Sequence, residues 1–495
     1  MRAKRAEPLR ALLVLGLAAC GSATTPSGTG TKPPPVTSVG DTITVDPSSS
    51  GPTISSLVLG ANMAMWYDIT QTGIASAIQT AGLASTRWPG GSESDSYYWK
   101  KNVVCASGGY TSPSSTFDHF MTDVAQPAHL DVAITLNYGS DSTCTLPGDP
   151  AVAAAWVAYS LSQHYGITHW TVGNESYGHW ETDLHANQWD PTTYASAVKN
   201  GYYTQIKAAD ATAQVGVVVS GGGFGNWDQT VLTNAQYDYV ELHYYDQNPG
   251  SETDTGLVLH GASRLATAVQ TVQTELSQAG KAGMPIYVGE LGSVNTNPGK
   301  QTMSITQALY AAQAIGTLMQ LGVTRATWWL AFGGCNTSSS GNFSSSLYGW
   351  QSFAGYMIIS DGIPTPYECT GAPNVPLGTL LPTARAYQVL SQFAVTGEHM
   401  VGVSLGDSLP TIRAWAATSG SGYALLLVNV DSATTKTVPV SIKGHASSAS
   451  MAITTYGKTQ YDDSKNNVWT GPVQSTSTTG SVTLPPWSIT VVRAP

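Results

Sequence analysis

Two glutamates stand at the ends of short apolar runs, and they are the residues of this chain best suited to chemistry. The run at 170–175 ends in Asn174-Glu175, and the run at 285–290 ends in Gly289-Glu290. Each run has the length and composition of a buried β-strand. Two carboxylates that strand ends deliver to one barrel opening could cleave a glycosidic bond.

The two carboxyl groups would need different protonation states. Retention of configuration requires one carboxylate to attack the anomeric carbon and one carboxylic acid to protonate the leaving oxygen, at a separation of about 5 to 5.5 Å. A cation such as Arg87 and a hydroxyl such as that of Tyr245 would keep Glu290 ionised. We therefore predict that Glu290 is the nucleophile and that Glu175 holds the proton.

Strand-like and helical patterns alternate around these glutamates. The strands are centred on 57–62, 85–87, 132–137, 170–175, 215–219, 239–245, 286–290 and 326–330, and helical patterns cover 151–162, 194–209, 262–279 and 303–321. Repeated strand and helix units predict a parallel sheet wound with helices. Eight such units predict an α/β fold, a (β/α)8 TIM barrel spanning 54–393.

Further polar and aromatic residues lie where the predicted strands finish. They are Asn62, Arg87, Asn137, Asn174, His243, Tyr245 and Trp329. In a (β/α)8 barrel the carboxyl ends of the strands build the active site. We therefore predict that all seven contact the substrate, although a lone polar residue at a strand end is more often a satisfied hydrogen bond.

The sequence pattern outside the barrel is different. Residues 394–495 show short alternating strands with Gly, Ser and Asn turns and no helical period, which predicts a C-terminal β-sandwich. Residues 41–46 also alternate with a period of two. We expect the segment 41–53 to join this sandwich as an N-terminal strand.

The whole pattern resembles the retaining glycoside hydrolases of the (β/α)8-barrel clan A, in particular the α-L-arabinofuranosidases. An Asn-Glu pair closes strand four, a second glutamate closes strand seven, and Arg87-Trp88-Pro89-Gly90-Gly91-Ser92 is similar to the Arg-x-Pro-Gly-Gly turn after strand two. The resemblance covers roughly 54–393, and the trailing sandwich fits it as well.

This resemblance implies a role for each matching residue. Glu175 would be the acid/base and Glu290 the nucleophile, and Asn174 would bind the sugar hydroxyl next to the anomeric carbon. Arg87 and Tyr245 would hold the nucleophile, while His243 would line the site. Trp329 would stack on the sugar bound ahead of the scissile bond.

Composition limits the kinds of partner. The net charge is -10 and charged residues make up 11% of the chain, less than half of the usual ~25%. No cluster of Lys and Arg follows the first ten positions, so we expect no nucleic-acid partner and a carbohydrate substrate instead. The segment 179–185 is rich in ligand types, but its place after Glu175 favours sugar hydrogen bonding; we expect no metal and no cofactor.

The N-terminus carries an export signal. Basic residues precede the apolar run 11–16, and Leu17-Ala18-Ala19-Cys20 resembles a lipoprotein cleavage box. We interpret 1–20 as a lipoprotein signal peptide with Cys20 as the lipid-bearing residue, anchored at the surface or periplasmic side of a bacterial membrane. Residues 21–40 would be a disordered tether. An ordinary cleaved signal and secretion is the alternative.

The remaining cysteines are even in number. Cys105, Cys144, Cys335 and Cys369 favour disulfides in an exported protein, and the sequence leaves three pairings open. We prefer Cys105 with Cys144 and Cys335 with Cys369, because each pair would pin neighbouring loops.

Several functions remain open at this point. The leading substrate is an arabinofuranoside of plant or microbial polysaccharide. The alternatives are an endo-β-glucanase or xylanase type of activity and a β-glucuronidase, all within the same clan. A non-catalytic carbohydrate-binding lipoprotein is the alternative from another class.

Overall fold

The structure is a computed structural model that describes residues 41–105, 109–335, 340–350, 353–362, 375–445 and 450–495. Its strands, in chain order, are β1 Ile43–Thr53, β2 Gly60–Asn62, β3 Ser85–Trp88, β4 Tyr97–Tyr98, β5 Val103–Val104, β6 Asp131–Leu136, β7 His169–Val172, β8 Gln214–Val219, β9 Tyr239–Tyr245, β10 Ile286–Gly292, β11 Arg325–Trp328, β12 Phe332–Gly333, β13 Ile359–Ser360, β14 His399–Leu405, β15 Ile412–Ser419, β16 Gly422–Asn429, β17 Lys436–Ile442, β18 Met451–Gly457, β19 Val473–Ser477, β20 Ser481–Leu484 and β21 Ser488–Ala494.

The helices are α1 Ile74–Ala81, α2 Phe117–His119, α3 Pro150–Ser162, α4 Pro191–Ala197, α5 Thr204–Ala209, α6 Trp227–Asn234, α7 Asp254–Gln278, α8 Ile305–Gln320, α9 Pro382–Leu390 and α10 Lys458–Ser464. A wider π-type turn at Phe120–Ala125 follows α2, and a second one at Val198–Tyr203 joins α4 to α5. Single 3-10 turns lie at Ser56–Val58, Ser92–Ser96 and Lys300–Met303.

Eight parallel strands close into a barrel, which confirms the predicted fold. Their order around the barrel is β2, β3, β6, β7, β8, β9, β10 and β11, with β11 pairing back to β2. Runs such as Gln214–Val219 are apolar and β-branched and are buried almost throughout. Strands that are covered on both faces need this continuous apolar character, whereas strands with one exposed face alternate apolar and polar residues.

Three predicted barrel strands are shorter in the structure, one of them being 326–330, whose strand covers Arg325–Trp328. The segment 57–62 begins with the 3-10 turn Ser56–Val58, so its strand covers only Gly60–Asn62. The segment 170–175 leaves the sheet after Val172. Glu175 therefore lies on a turn beyond the strand end, where its side chain is free of the strand's alternation.

The C-terminal strands form a second sheet, and β1 belongs to it. β1 pairs antiparallel with β14 and parallel with β17, in a nine-stranded sheet whose edges are β19 and β20. The two edge strands are joined by the short turn 478–480, so the sheet curls back on itself around its own apolar core. This confirms the predicted sandwich with an N-terminal strand.

The curled sheet also packs on the barrel. Along β16, Leu425 and Leu427 point into the sandwich core, while Ala424, Leu426 and Val428 belong to the large core of the barrel. The period of two in a strand produces this division. α8 packs against both the barrel and the curled sheet and is buried on nearly every side, which matches its predominantly apolar sequence.

The predicted disulfide between Cys105 and Cys144 is present and joins the segment after β5 to the rim loop after β6. The predicted pairing of Cys335 with Cys369 includes a residue outside the described ones. Cys20, the signal segment 1–20 and the tether 21–40 also lie outside them. Within the described ranges, no helix combines the length and the apolar character needed to cross a membrane.

Candidate active site

A buried arginine ties the carboxyl ends of five barrel strands together. Arg87, at the end of β3, is fully buried. Its guanidinium donates to Glu290 Oε1 at 3.1 Å and to Asn62 Oδ1 at 3.1 Å. It also donates to Asn174 Oδ1 at 2.6 Å and forms an ion pair with Glu241 at 2.8 Å.

Alternation along β9 supplies three further groups. Glu241, His243 and Tyr245 lie at every second position and therefore share one face of the strand. The Tyr245 hydroxyl donates to Glu290 Oε2 at 2.5 Å. The two nitrogens of His243 lie 3.0 Å from Glu175 Oε1 and 3.1 Å from Glu241 Oε1.

A bulge in β10 aims Glu290 at this face. Val288 pairs with Leu242 but Glu290 pairs with His243, so one residue of β10 is extra. That residue is Gly289, where a Cβ atom would lie 2.2 Å from Glu241 Oε1. Asn62 and Thr327 donate to the Gly289 carbonyl at 2.9 and 2.6 Å. The position therefore accepts only glycine.

Glu175 approaches from the turn after β7. Its backbone has a φ of 40°, in the left-handed region that a non-glycine residue occupies at an energetic cost. Its carboxyl accepts from His243 and, at 2.8 Å, from the indole nitrogen of Trp180. These two donors hold the carboxyl over the barrel mouth.

The two glutamates are close to each other. A carboxylate oxygen of Glu175, a ring nitrogen of His243 and a carboxylate oxygen of Glu290 all lie within 4.8 Å of one another. Two carboxyl groups with oxygens this close can both contact a single sugar unit bound at the barrel mouth.

His243 carries a positive charge at neutral pH. Burial lowers its pKa, but Glu290, Glu175 and Glu241 outweigh that effect and raise the pKa to about 10. The site thus holds two cations, Arg87 and His243, and three carboxyl groups. With all three carboxyl groups ionised its net charge would be -1, and one further proton would make it neutral.

The protonation states predicted from the sequence differ from those that the structure favours without substrate. Burial would raise the pKa of Glu175, but the hydrogen bond and charge of His243 lower it below its ordinary value. Burial raises the pKa of Glu290, and the nearby charge of Glu175 adds to this. The charge of His243 lowers the pKa of both glutamates, but for Glu290 burial outweighs it.

The same three side chains have the spacing of a cation site. However, both ring nitrogens of His243 face carboxylates, so the protonated ring uses both as donors. A metal would need a neutral ring with a free lone pair. The geometry therefore suits an imidazolium better than a bound metal.

The structure brings most of the predicted site residues into this network, but not all in the predicted manner. Asn62 is fully buried beneath it and contacts Arg87 and the Gly289 carbonyl. The side-chain amide of Asn137 links two segments at the rim: it donates to the Tyr97 carbonyl and accepts from the backbone N–H of Ser140. These hydrogen bonds give both side chains a structural role, and their contact with substrate stays a prediction.

Trp329 lies at the rim beside the turn after β3. Its ring is 6.1 Å from that of Trp66, and its edge lies against Gly91. Gly91 has a φ of 56°, and a Cβ there would meet the Trp329 ring at 2.8 Å. Gly91 is therefore needed to admit this tryptophan.

Some residues of the site were not predicted from the sequence. Glu241 could have been recognised, since it shares the face of His243 and Tyr245 within one strand. Two other features could not have been recognised, because loops create them. They are the hydrogen bond from Trp180 to Glu175 and the position of the Asp95 and Glu181 carboxyl groups beside Asn174.

Comparison with known proteins gives structural likenesses only: no family model matches the chain, and no curated protein does. An α-L-arabinofuranosidase from Thermotoga maritima, in complex with arabinose, is 18% identical with a TM-score of 0.69, covering 92% of this chain and 99% of that one. A family 51 α-L-arabinofuranosidase from Bifidobacterium longum is 16% identical with a TM-score of 0.68, covering 93% and 100%. A family 44 xyloglucanase from Paenibacillus polymyxa is 12% identical with a TM-score of 0.64, covering 92% and 99%. At these identities the likeness establishes the shared fold, as expected for the barrel clan that the sequence resembles.

The charge on His243 predicts a pH dependence of stability. Because its pKa is raised to about 10 in the folded protein, its stabilising contribution is complete below the unfolded value of about 6.5 and is lost as the pH rises towards 10. The melting temperature of wild type should exceed that of His243→Gln most near pH 6, with the difference shrinking by pH 10. The surface variant His399→Gln is the control, and a difference that grows with pH would contradict the assignment.

Proposed function

We propose that the protein is a retaining O-glycoside hydrolase that works by double displacement. The observation that carries the proposal is the close approach of Glu175 and Glu290, whose oxygens lie within 4.8 Å of each other at the mouth of the barrel. Separations near 5 Å belong to retaining enzymes, in which one carboxylate attacks the sugar directly.

The contacts of each glutamate support its role. Arg87 and Tyr245 donate to the two oxygens of Glu290, which orients one carboxylate oxygen for attack on the anomeric carbon. Glu175 would protonate the departing oxygen as the bond to Glu290 forms. In the second step Glu175 would take a proton from water, and this water would displace Glu290 from the sugar.

His243 can supply the proton that Glu175 needs. In the resting site the imidazolium lies 3.0 Å from Glu175 Oε1. Transfer along this hydrogen bond would leave a neutral imidazole and a protonated Glu175, as the first step requires. Substrate that displaces water from the mouth would favour this transfer, since it replaces two adjacent charges with two neutral groups.

An arabinofuranoside of plant or microbial polysaccharide is the leading substrate. Two of the three solved structures named above are called α-L-arabinofuranosidases, and the third is called a xyloglucanase. A glucuronide fits less well, because the two cations that reach the glutamates in the described structure, Arg87 and His243, are already paired with carboxylates.

Substitution of each glutamate should give a different pattern. Glu175→Ala should lower kcat/KM on glycosides with poor leaving groups by about 10²- to 10⁴-fold and on activated aryl glycosides far less, since only the former need a proton donor. Glu290→Ala should lose turnover on both. Glu93→Ala, which removes a carboxyl from a neighbouring rim loop, is the control. Equal losses of Glu175→Ala on both substrates would remove it from the acid/base role.

A substrate panel separates the proposed activities. Nitrophenyl arabinofuranoside, xyloside, glucoside and glucuronide, with arabinan, xylan and β-glucan, should show the highest kcat/KM on the arabinofuranoside. Proton NMR of the first product should show the anomeric configuration of the substrate. An inverted product would contradict double displacement. Binding without turnover of every sugar would favour the carbohydrate-binding lipoprotein instead.

We also propose that the protein is exported and anchored through a lipid on Cys20, on the basis of the Leu17-Ala18-Ala19-Cys20 motif. In a bacterial host, the wild-type chain should sediment with membranes and incorporate labelled fatty acid. Cys20→Ala should lose both properties. A wild-type chain released into the medium with its N-terminus beyond Cys20 would establish an ordinary cleaved signal instead.

A further inference from the structure

The amide of Asn174 is held from both ends. Its oxygen accepts from Arg87 at 2.6 Å, and its nitrogen donates to Glu181 Oε1 at 2.9 Å. Its backbone nitrogen donates to Asp95 Oδ2 at 3.0 Å. Contacts at the oxygen and the nitrogen fix the plane of the amide and leave one N–H uncommitted.

Glu181 belongs to the rim loop that follows Glu175. Only 3% of it is exposed, which is unusual for a glutamate in a loop. Oε1 accepts from the Ser92 hydroxyl at 2.9 Å as well as from Asn174. Oε2 is buried and finds no hydrogen-bond partner among the described residues. This carboxyl is therefore directed at Asn174 rather than at solvent.

We infer that Glu181 is a positioning residue for Asn174: it turns the free amide N–H towards the sugar hydroxyl next to the anomeric carbon. The inference rests on the proposed function, because it assigns the rim carboxyl to the same reaction. Ser92, in the turn after β3, holds Glu181 in turn. The specificity of the site for a hydroxyl at this carbon thus depends on a loop residue that does not touch the substrate.

The surroundings favour the neutral form of this carboxyl. Burial raises the pKa of Glu181 well above its ordinary value, and the charges of Asp95 and Glu175 raise it further. An ionised group with one buried oxygen lacking a donor would be strongly disfavoured. A glutamine, which is neutral and has the same shape, should therefore replace Glu181 with little change.

A pair of substrates distinguishes this positioning role from a general loss of activity. We compare kcat/KM for a nitrophenyl glycoside and for its 2-deoxy analogue, which lacks the hydroxyl in question. Wild type should prefer the parent by about 100-fold, because hydrogen bonds to this hydroxyl strengthen in the transition state. In Glu181→Leu the preference should fall to about tenfold, with kcat falling more than KM rises.

Three variants serve as controls. Glu181→Gln should keep the wild-type preference and its pH profile. Asp183→Asn alters the same loop, where Asp183 accepts from His185 and Trp189, and should lower both rates in parallel. In an Asn174→Ala background, Glu181→Leu should cause no further fall in the preference. Ser92→Ala should shift the preference in the same direction as Glu181→Leu, by about threefold.

The outcomes separate this inference from the proposed function. If wild type hydrolyses the parent glycoside but Glu181→Leu and Ser92→Ala keep its full preference over the 2-deoxy analogue, Glu181 does not position Asn174. If Glu181→Leu fails to fold, the Ser92→Ala result decides in the same way. If wild type hydrolyses neither substrate nor any sugar of the panel, both the proposed function and this inference are overturned.

Discussion

A guanidinium with no access to water is the constraint on which the site depends. A buried charge costs several kcal/mol unless carboxylates and hydrogen bonds surround it. Arg87 meets this requirement with Glu241, Glu290, Asn62 and Asn174. Each comes from a different strand end or turn, so satisfying one side chain fixes the relative positions of β2, β9, β10 and the turn after β7.

Glu241 has a structural role that makes the chemistry possible. Its carboxyl accepts from Arg87, His243 and the Thr171 hydroxyl, and these contacts keep its pKa low although burial would raise it. By contacting both cations from one side, it leaves their other sides to the two glutamates. The bulge at Gly289 provides room for this carboxyl, which explains why the strand that delivers Glu290 is irregular at that point.

The loops contribute a different kind of control. Trp180 reaches Glu175 and Glu181 reaches Asn174 from one loop, while Ser92 reaches Glu181 from another. Barrel strands thus place most of the charged groups, whereas rim loops orient the carboxyl of Glu175 and the amide of Asn174. Such loops can change with little effect on the barrel, so the rim can vary while the buried charge network stays the same.

Sequence patterns alone predict the barrel, the sandwich with its N-terminal strand and the gathering of Arg87, Asn174, Glu175, His243, Tyr245 and Glu290, because alternating strand and helix patterns send every strand end to one rim. The Cys105–Cys144 bridge was the preferred one of three pairings that the sequence left open, and the structure identified it. The sequence could not determine that Glu175 lies beyond its strand, that Asn137 ties loops together, or that Glu181 holds Asn174. Those facts depend on loop paths, which have no periodicity to read. The protonation states depend on the folded structure, because His243 lies close to three carboxyl groups. Glu175 and Glu290 are far from His243 in the sequence, and Glu241 lies two positions before it on the same strand.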